Sequence, residues 1–218
     1  MAGHAMNKAL LSLVLPLTAL LAGCNMGSGD NASMGTQSTP GDLAGARIGA
    51  PFTLTDQNGE KRSWADFKGR YRLVYFGYTY CPDICPVDLQ RIMQAFARFE
   101  KAEPARAARV QPIFISVDPE RDTPSVLKTY VAAFHPRLIG LTGSREEIAK
   151  VAKDFVVIYS REPSKGASDY LVSHSRTPYL FGPDGKPVAL VPVDDPGTPD
   201  KQEGSPVEVL AFLEKWVK

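Results

Sequence analysis

Along residues 47–218, hydrophobic and polar positions follow two different periods, which predicts strands separated by helices. Several short runs are rich in β-branched and aromatic residues and lie between turn signals, as strands do. These runs cover residues 72–78, 110–117, 138–141, 155–159, 170–174, 177–181 and 187–191. After the first run, apolar residues recur at spacings of three and four from Leu89 to Phe99, which is typical of one face of an amphipathic helix.

Capping residues mark the helix starts. Thr123 precedes Pro124, and Ser144 lies three residues before Glu147 in the pattern of a capping box. An Asn-Gly pair ending at Gly59 marks a tight hairpin turn near the beginning of the predicted domain. The alternation of strands and helices predicts an α/β fold, with a central mixed sheet flanked by helices and an N-terminal hairpin extension.

Composition and charge narrow the functional classes. The chain has 218 residues and a formal net charge of +1, from 25 basic and 24 acidic side chains. Because the chain has no surplus of basic residues, its charge does not favour nucleic acid as a partner. The length fits one domain plus a processed or flexible end. We expect a monomer.

The first residues resemble an export signal. Residues 9–21 are almost wholly apolar, too short to span a bilayer comfortably but suitable for the core of a signal peptide. They lead into Leu-Ala-Gly-Cys24, which resembles the lipobox of bacterial lipoproteins. The alternatives are an ordinary signal peptide or a membrane anchor that contains a cysteine.

This interpretation divides the chain into three parts. Residues 1–23 would be a lipoprotein signal peptide, residues 24–45 a flexible tether lipidated at Cys24, and residues 46–218 the folded domain. The predicted location is extracytoplasmic, anchored on the periplasmic side of a bacterial membrane. Disulfides persist in such a compartment, so a cysteine pair there is a structural disulfide by default.

Cys81 and Cys85 follow the run at residues 72–78 and precede the amphipathic helix. A cysteine pair between a core strand and its helix is the thioredoxin arrangement, and a helix N-terminus lowers the pKa of a thiol that lies over it. The Cys-x-x-x-Cys spacing permits a disulfide, and it also permits both sulfurs to face one metal ion. Two thiolates with an imidazole suit Cu(I), and also Cu(II) when another donor joins, whereas structural zinc normally takes four ligands.

Two histidines could complete such a site. His174 ends a predicted strand that we expect to pair next to the core strand, although a lone histidine there is more often a satisfied polar group. His135 lies before Pro136 at a helix end, where a solvated or helix-terminal role is expected. The residues alone leave the ligand set open.

Four segments together resemble the Sco/SenC family, in the family's order. They are YFGYTYCPDICP ending at Pro86, SVDPERDTP ending at Pro124, GLTG ending at Gly143, and YLVSHS ending at Ser175. The resemblance implies a thioredoxin-like fold that carries copper, as Cu(I) or Cu(II), to the dinuclear copper centre of cytochrome c oxidase. The recipient would be the copper-receiving subunit of that enzyme.

The same resemblance implies the ligands Cys81, Cys85 and His174. The family often has aspartate before the histidine, where this chain has Ser173. The alternative function is that of a thiol-disulfide oxidoreductase or redox sensor that uses the two cysteines as a redox-active pair.

Two carboxylates lie near the predicted site in sequence. Asp118 ends the strand beside the motif strand, where it could orient a ligand or contact a partner, or could be an ordinary turn residue. Asp83, between the cysteines, could favour a bound cation, but a solvated turn carboxylate is the expected role.

Overall fold

A computed structural model describes residues 41–163, 170–195, 197 and 202–218. The predicted signal peptide, the lipidation site Cys24 and most of the predicted tether lie outside the described residues. Within the described part, no helix combines the length and the apolar composition that crossing a membrane requires.

The main sheet contains seven strands, which are β1 (Thr53–Asp56), β2 (Lys61–Ser63), β3 (Tyr71–Gly77), β4 (Val110–Ser116), β5 (Ile139–Thr142), β8 (Tyr179–Phe181) and β9 (Pro187–Leu190). Their order in the sheet is β2-β1-β5-β4-β3-β8-β9. Strands β3, β4 and β5 are mutually parallel, and the remaining pairs are antiparallel, so the sheet is mixed as predicted. The predicted N-terminal hairpin is β1–β2, and Gly59 in its turn has a φ of 84°.

The helices are α1 (Ile84–Ala102), α2 (Pro104–Ala107), α3 (Pro124–Ala132), α4 (Arg145–Asp154) and α5 (Pro206–Trp216), and a 3₁₀ turn covers Trp64–Phe67. Helices α3 and α4 begin at the predicted caps. The Thr123 hydroxyl accepts the Val126 N–H at the start of α3, and Ser144 and Glu147 form a reciprocal capping box. The predicted apolar face of α1 is buried, and α1 packs against α5.

The predicted strand over residues 155–159 is wrong. Phe155 is the C-cap of α4, and the N–H of Val157 returns to the carbonyl of Ala152. Val156 has a φ of 56°, the left-handed conformation that usually ends helices on glycine. The extended structure starts only at Tyr159, the first residue of β6 (Tyr159–Pro163).

The strand that ends at His174 also differs from expectation. β7 (Tyr170–His174) pairs antiparallel with β6 in a separate two-stranded sheet, so that Tyr159 lies opposite His174. The place beside the core strand β3 is taken by β8, which follows β7 in the chain. His174 therefore approaches the cysteines from the smaller sheet.

Candidate metal centre

The cysteine pair lies where β3 passes into α1. Cys81 is partly exposed in the loop before the helix, and Cys85 is buried in the first turn. The Cys85 N–H points back to the Cys81 sulfur at 3.3 Å, so the start of the helix closes around that sulfur. Both cysteines are free thiols.

His174 completes the group. Its Nε2 lies 3.0 Å from the Cys85 sulfur, across 89 residues of chain. Its Nδ1 lies 2.9 Å from the carbonyl oxygen of Ser175, and because a carbonyl only accepts, Nδ1 carries the proton. In the neutral ring Nε2 therefore presents its lone pair to the sulfurs. The family often has an aspartate before the histidine, where this chain has Ser173. Here the backbone carbonyl of Ser175 is the acceptor that orients the imidazole of His174.

The two thiols have opposite proton affinities. A hydrogen bond from the Cys85 thiol stabilises the Cys81 thiolate most strongly. The backbone N–H groups of Asp83 and Cys85 add to this stabilisation, which outweighs burial, so the pKa of Cys81 falls to about 3. The same hydrogen bond and burial raise the pKa of Cys85. The arrangement is one thiolate and one thiol, with the proton on the buried sulfur.

Cys81 should therefore react with iodoacetamide at a rate that varies little from roughly pH 5 to pH 8, because its thiolate dominates throughout that range. Cys85 should stay unmodified, because it is buried and protonated. Mass spectrometry of the quenched, digested protein measures both rates.

The Cys85→Ala variant is the matched comparison for this reactivity. It removes the largest stabilising hydrogen bond from Cys81, so the alkylation rate should become steeply dependent on pH. If the wild-type alkylation rate rose tenfold with each pH unit across the same range, the pKa of the Cys81 thiol would not be lowered.

An open cleft of about 310 Å³ is lined by Cys81 and His174. It is walled by the loop before α1 on one side and by β7 on the other, including Pro82, Ile84 and Leu171. Tyr80 and Ile84 are exposed beside it. Cys81 is partly exposed and lines the cleft, whereas Cys85 is buried and does not line it.

The donor set fits copper in type. Two sulfurs and one imidazole nitrogen are the donors that Cu(I) prefers. Among the described residues, however, no three His, Cys, Asp or Glu side chains stand as a ready metal shell. The Cys85 sulfur and His174 Nε2 are instead within hydrogen-bond distance, at 3.0 Å.

Asp118 is placed apart from the other predicted site residues. It is fully buried and accepts hydrogen bonds from Arg121 Nε at 2.5 Å and from the Tyr170 hydroxyl at 2.7 Å. Its described contacts include neither sulfur nor His174. Asp118 therefore ties the loop after β4 to the first residue of β7, and a role in ligation or partner contact stays a prediction.

His135 takes no part in the centre's contacts, and Asp83 contributes only its backbone N–H to Cys81. His135 follows α3 but is buried rather than solvated, with Nε2 2.9 Å from a Glu100 carboxylate oxygen. Asp83 is the exposed N-cap of α1 without a side-chain capping bond, which agrees with a solvated turn carboxylate.

Two buried carboxylates near the cysteines were not predicted. Asp122 accepts from the Thr79 hydroxyl at 2.6 Å, from the Thr79 N–H at 3.0 Å and from the Ser116 hydroxyl at 2.6 Å, which fixes the loop before Cys81. Asp88 lies on the buried face of α1, one turn after Cys85. Asp88 could have been recognised as a buried carboxylate, because it is an acidic residue on an apolar helix face. Asp122 lies in a loop, where no periodic pattern indicates burial.

Comparison with known proteins places these features in context. The mitochondrial SCO2 homolog of cattle is 51% identical over 134 residues, which covers 62% of this chain and 50% of the relative. The chain thus spans about half the length of the curated relatives it matches. The structure of Bradyrhizobium japonicum ScoI with copper bound matches 78% of this chain and 99% of its own, with 39% identity and a TM-score of 0.65.

Two further structures bear on the fold and the thiols. BsSco is a member of the Sco family of cytochrome c oxidase assembly proteins, and a disulfide switch was identified in it. Its structure is 26% identical to this chain with a TM-score of 0.56, over 82% of this chain and 97% of its own. The thioredoxin domain of a Bacteroides vulgatus thiol-disulfide oxidoreductase is 18% identical with a TM-score of 0.52, over 78% of this chain and 96% of its own. Its likeness shows the fold, which is thioredoxin-like as predicted.

The predicted localisation is contradicted by these relatives. The curated relatives from cattle, human, yeast and Arabidopsis are named mitochondrial proteins, which points to a mitochondrial protein rather than a bacterial periplasmic lipoprotein. An apolar run before a cysteine, such as the one that ends at Cys24, is a short pattern and does not by itself establish a lipid anchor.

The family model described as SCO1/SenC matches residues 41–202, a segment that contains both cysteines, His174 and every strand of both sheets. This match covers well over half of the chain. The chain therefore belongs to the SCO1/SenC family.

Proposed function

We propose that this chain is a copper chaperone, which binds copper through Cys81, Cys85 and His174 and delivers it to the dinuclear copper centre of cytochrome c oxidase. The observation that carries the proposal is the 3.0 Å approach of His174 Nε2 to the Cys85 sulfur, with the Cys81 sulfur held at the same helix start. Copper is the cargo of this protein, and its recipient is the copper-receiving subunit of the oxidase. The chain acts as a monomer.

The chemistry of the donors supports copper over zinc. Thiolates and a neutral imidazole suit Cu(I), while structural zinc sites normally need a fourth protein ligand. The other histidine of the described domain, His135, is held by Glu100 and is not among the residues that line the cleft. Copper uptake must expel the proton of Cys85, whose pKa is raised, so copper affinity falls as the pH is lowered.

The shape of the site supports transfer rather than permanent storage. Cys81 is partly exposed at the cleft, while Cys85 is buried. A thiolate of the recipient can approach the metal from the cleft and replace the protein's donors one after another. BsSco belongs to a family of cytochrome c oxidase assembly proteins, which supports cytochrome c oxidase as the destination of the copper.

Thiol-disulfide exchange is the second candidate, favoured by the lowered pKa of Cys81 and by the disulfide switch of BsSco. The Cys81 thiolate attacks a sulfur of a partner disulfide and forms a mixed disulfide, and the released partner sulfur takes up a proton. Cys85 then loses its proton and attacks Cys81, which releases the second partner thiolate. The pair loses two electrons, and the partner disulfide gains them.

Copper titration of the reduced chain tests the proposal. We expect about one Cu(I) ion per chain, and His174→Ala should weaken the affinity by roughly a hundredfold or more, because loss of a ligand exceeds the loss of an outer hydrogen-bond partner. Competition with a chromophoric Cu(I) chelator under anaerobic conditions measures both quantities.

His135→Ala is the matched control, since it removes an imidazole that binds Glu100 instead of the centre. It should leave the copper affinity unchanged. Equal copper affinities of wild type and His174→Ala would show that His174 is not a ligand, which contradicts the three-donor site. If His174→Ala kept full activity towards a disulfide substrate while wild type bound no copper, thiol-disulfide exchange would be the function.

A further inference from the structure

We propose that the buried ion pair between Asp88 and Arg176 is a positioning clamp, which holds His174 against the cysteines independently of what the sulfurs bind. The inference rests on the proposed function, because it assigns these two residues to the same site. Neither residue supplies a donor to the metal in this proposal. They fix the backbone that carries the imidazole.

The geometry of the pair is that of a two-pronged clamp. Arg176 Nη2 lies 2.9 Å from Asp88 Oδ1, and Arg176 Nε lies 3.1 Å from Asp88 Oδ2. The Asp88 side chain is 1% exposed and that of Arg176 is 23% exposed. A planar guanidinium that binds both oxygens of a carboxylate fixes orientation as well as distance.

The positions of the two residues connect the clamp to the centre. Asp88 is three residues after Cys85, so the two side chains lie on the same face of α1. Arg176 is two residues after His174, beyond the end of β7. The segment that carries His174 is thus fastened to α1 twice, once by the imidazole at Cys85 and once by the guanidinium at Asp88.

The two fastenings differ in chemistry. The contact between Cys85 and His174 changes whenever the sulfur loses its proton, binds a metal or forms a disulfide. The Asp88 carboxylate takes part in none of these events. It also accepts the buried Tyr75 hydroxyl at 3.2 Å, so its orientation is set from the sheet as well. The clamp therefore keeps the imidazole within reach of the sulfurs after the direct contact is lost.

The Arg176→Lys variant tests the clamp, because lysine keeps the positive charge but cannot bind both carboxylate oxygens. Copper affinity should fall about 10- to 100-fold, the range for loss of a hydrogen-bonded partner that orients a ligand. Asp88→Asn, which removes the other half of the ion pair, should produce a loss in the same range. Arg137→Lys is the matched control, since Arg137 also binds a carboxylate, that of Glu100, but does not touch the centre.

A second readout needs no copper. The chain has three histidines, so ¹⁵N labelling of histidine resolves each ring. In reduced, metal-free wild type the His174 ring should show the tautomer protonated at Nδ1. In Arg176→Lys its shifts should move towards those of a freely averaging imidazole, while the His135 ring stays unchanged.

The outcomes separate the clamp from the function. If folded Arg176→Lys keeps both the wild-type ring shifts and the wild-type affinity, the clamp is wrong although copper binding stands. If Arg137→Lys lowers the affinity equally, the effect is general destabilisation and the clamp is also wrong. If wild type binds no copper, the proposed function fails, and the ring shifts still decide whether the ion pair positions His174.

Discussion

Cys85→Ser should abolish copper uptake at a copper concentration that only just saturates the wild-type chain. Serine nearly preserves the volume of cysteine, but its hydroxyl stays protonated and is a poor donor to Cu(I), which prefers thiolate. The Cys85 thiol also lies against His174 and hydrogen-bonds the Cys81 thiolate, so its replacement disturbs all three donors. We expect the affinity to fall by about a thousandfold or more, which corresponds to about 4 kcal/mol.

Met93→Leu is the matched control for this loss. Met93 is a second buried sulfur on α1, outside the cleft, and leucine conserves its volume. Copper binding should survive Met93→Leu and disappear in Cys85→Ser, as measured by equilibrium dialysis of the reduced proteins with metal analysis. Retention of wild-type affinity by Cys85→Ser would show that this sulfur is not a ligand.

Phe155→Ala should cause the largest loss of stability among single substitutions in the aromatic part of the core. Phe155 is fully buried, and its ring centroid lies 5.3 to 6.1 Å from those of Phe52, Trp64, Phe76 and Phe181. These rings belong to the N-terminal hairpin region and to the central strands, so the substitution leaves a cavity between them. The free energy of unfolding should fall by about 3–5 kcal/mol.

Urea unfolding followed by circular dichroism measures this loss, with the thiols kept reduced. The adjacent Val156→Ala is the control, because Val156 is 58% exposed and its truncation removes little buried surface. Its effect should stay within about 1 kcal/mol. A loss below about 1 kcal/mol for Phe155→Ala would mean that the aromatic cluster can collapse to fill the space.

The sequence predicted those elements whose signals are local. The capping box at Ser144 and Glu147 and the hairpin turn at Gly59 depend on residues a few positions apart, and the structure confirms both. Residues 155–159 were mistaken for a strand because a run of β-branched residues favours extended structure. The helix ends there on Val156, without the glycine that would have indicated the left-handed cap.

Long-range pairing was beyond the reach of local patterns. The strand ending at His174 was recognised, but nothing in its residues shows that it pairs with β6 rather than with β3. The cysteine spacing was readable, while the choice of His174 over His135 came from the family resemblance. Asp88 and Arg176 are separated by 88 positions, and their meeting follows only from the folded chain.

The division of the donors between two sheets has a consequence for how metal binding stabilises the molecule. Cys81 and Cys85 belong to the connection between β3 and α1, within the seven-stranded sheet and its helices, while His174 belongs to the two-stranded sheet. A two-stranded sheet is marginally stable alone, so it can open locally without global unfolding. A copper ion held by all three donors would act as a cross-link between the sheets. The binding free energy would then suppress the local opening of the smaller sheet in particular, and release of the cargo would restore it.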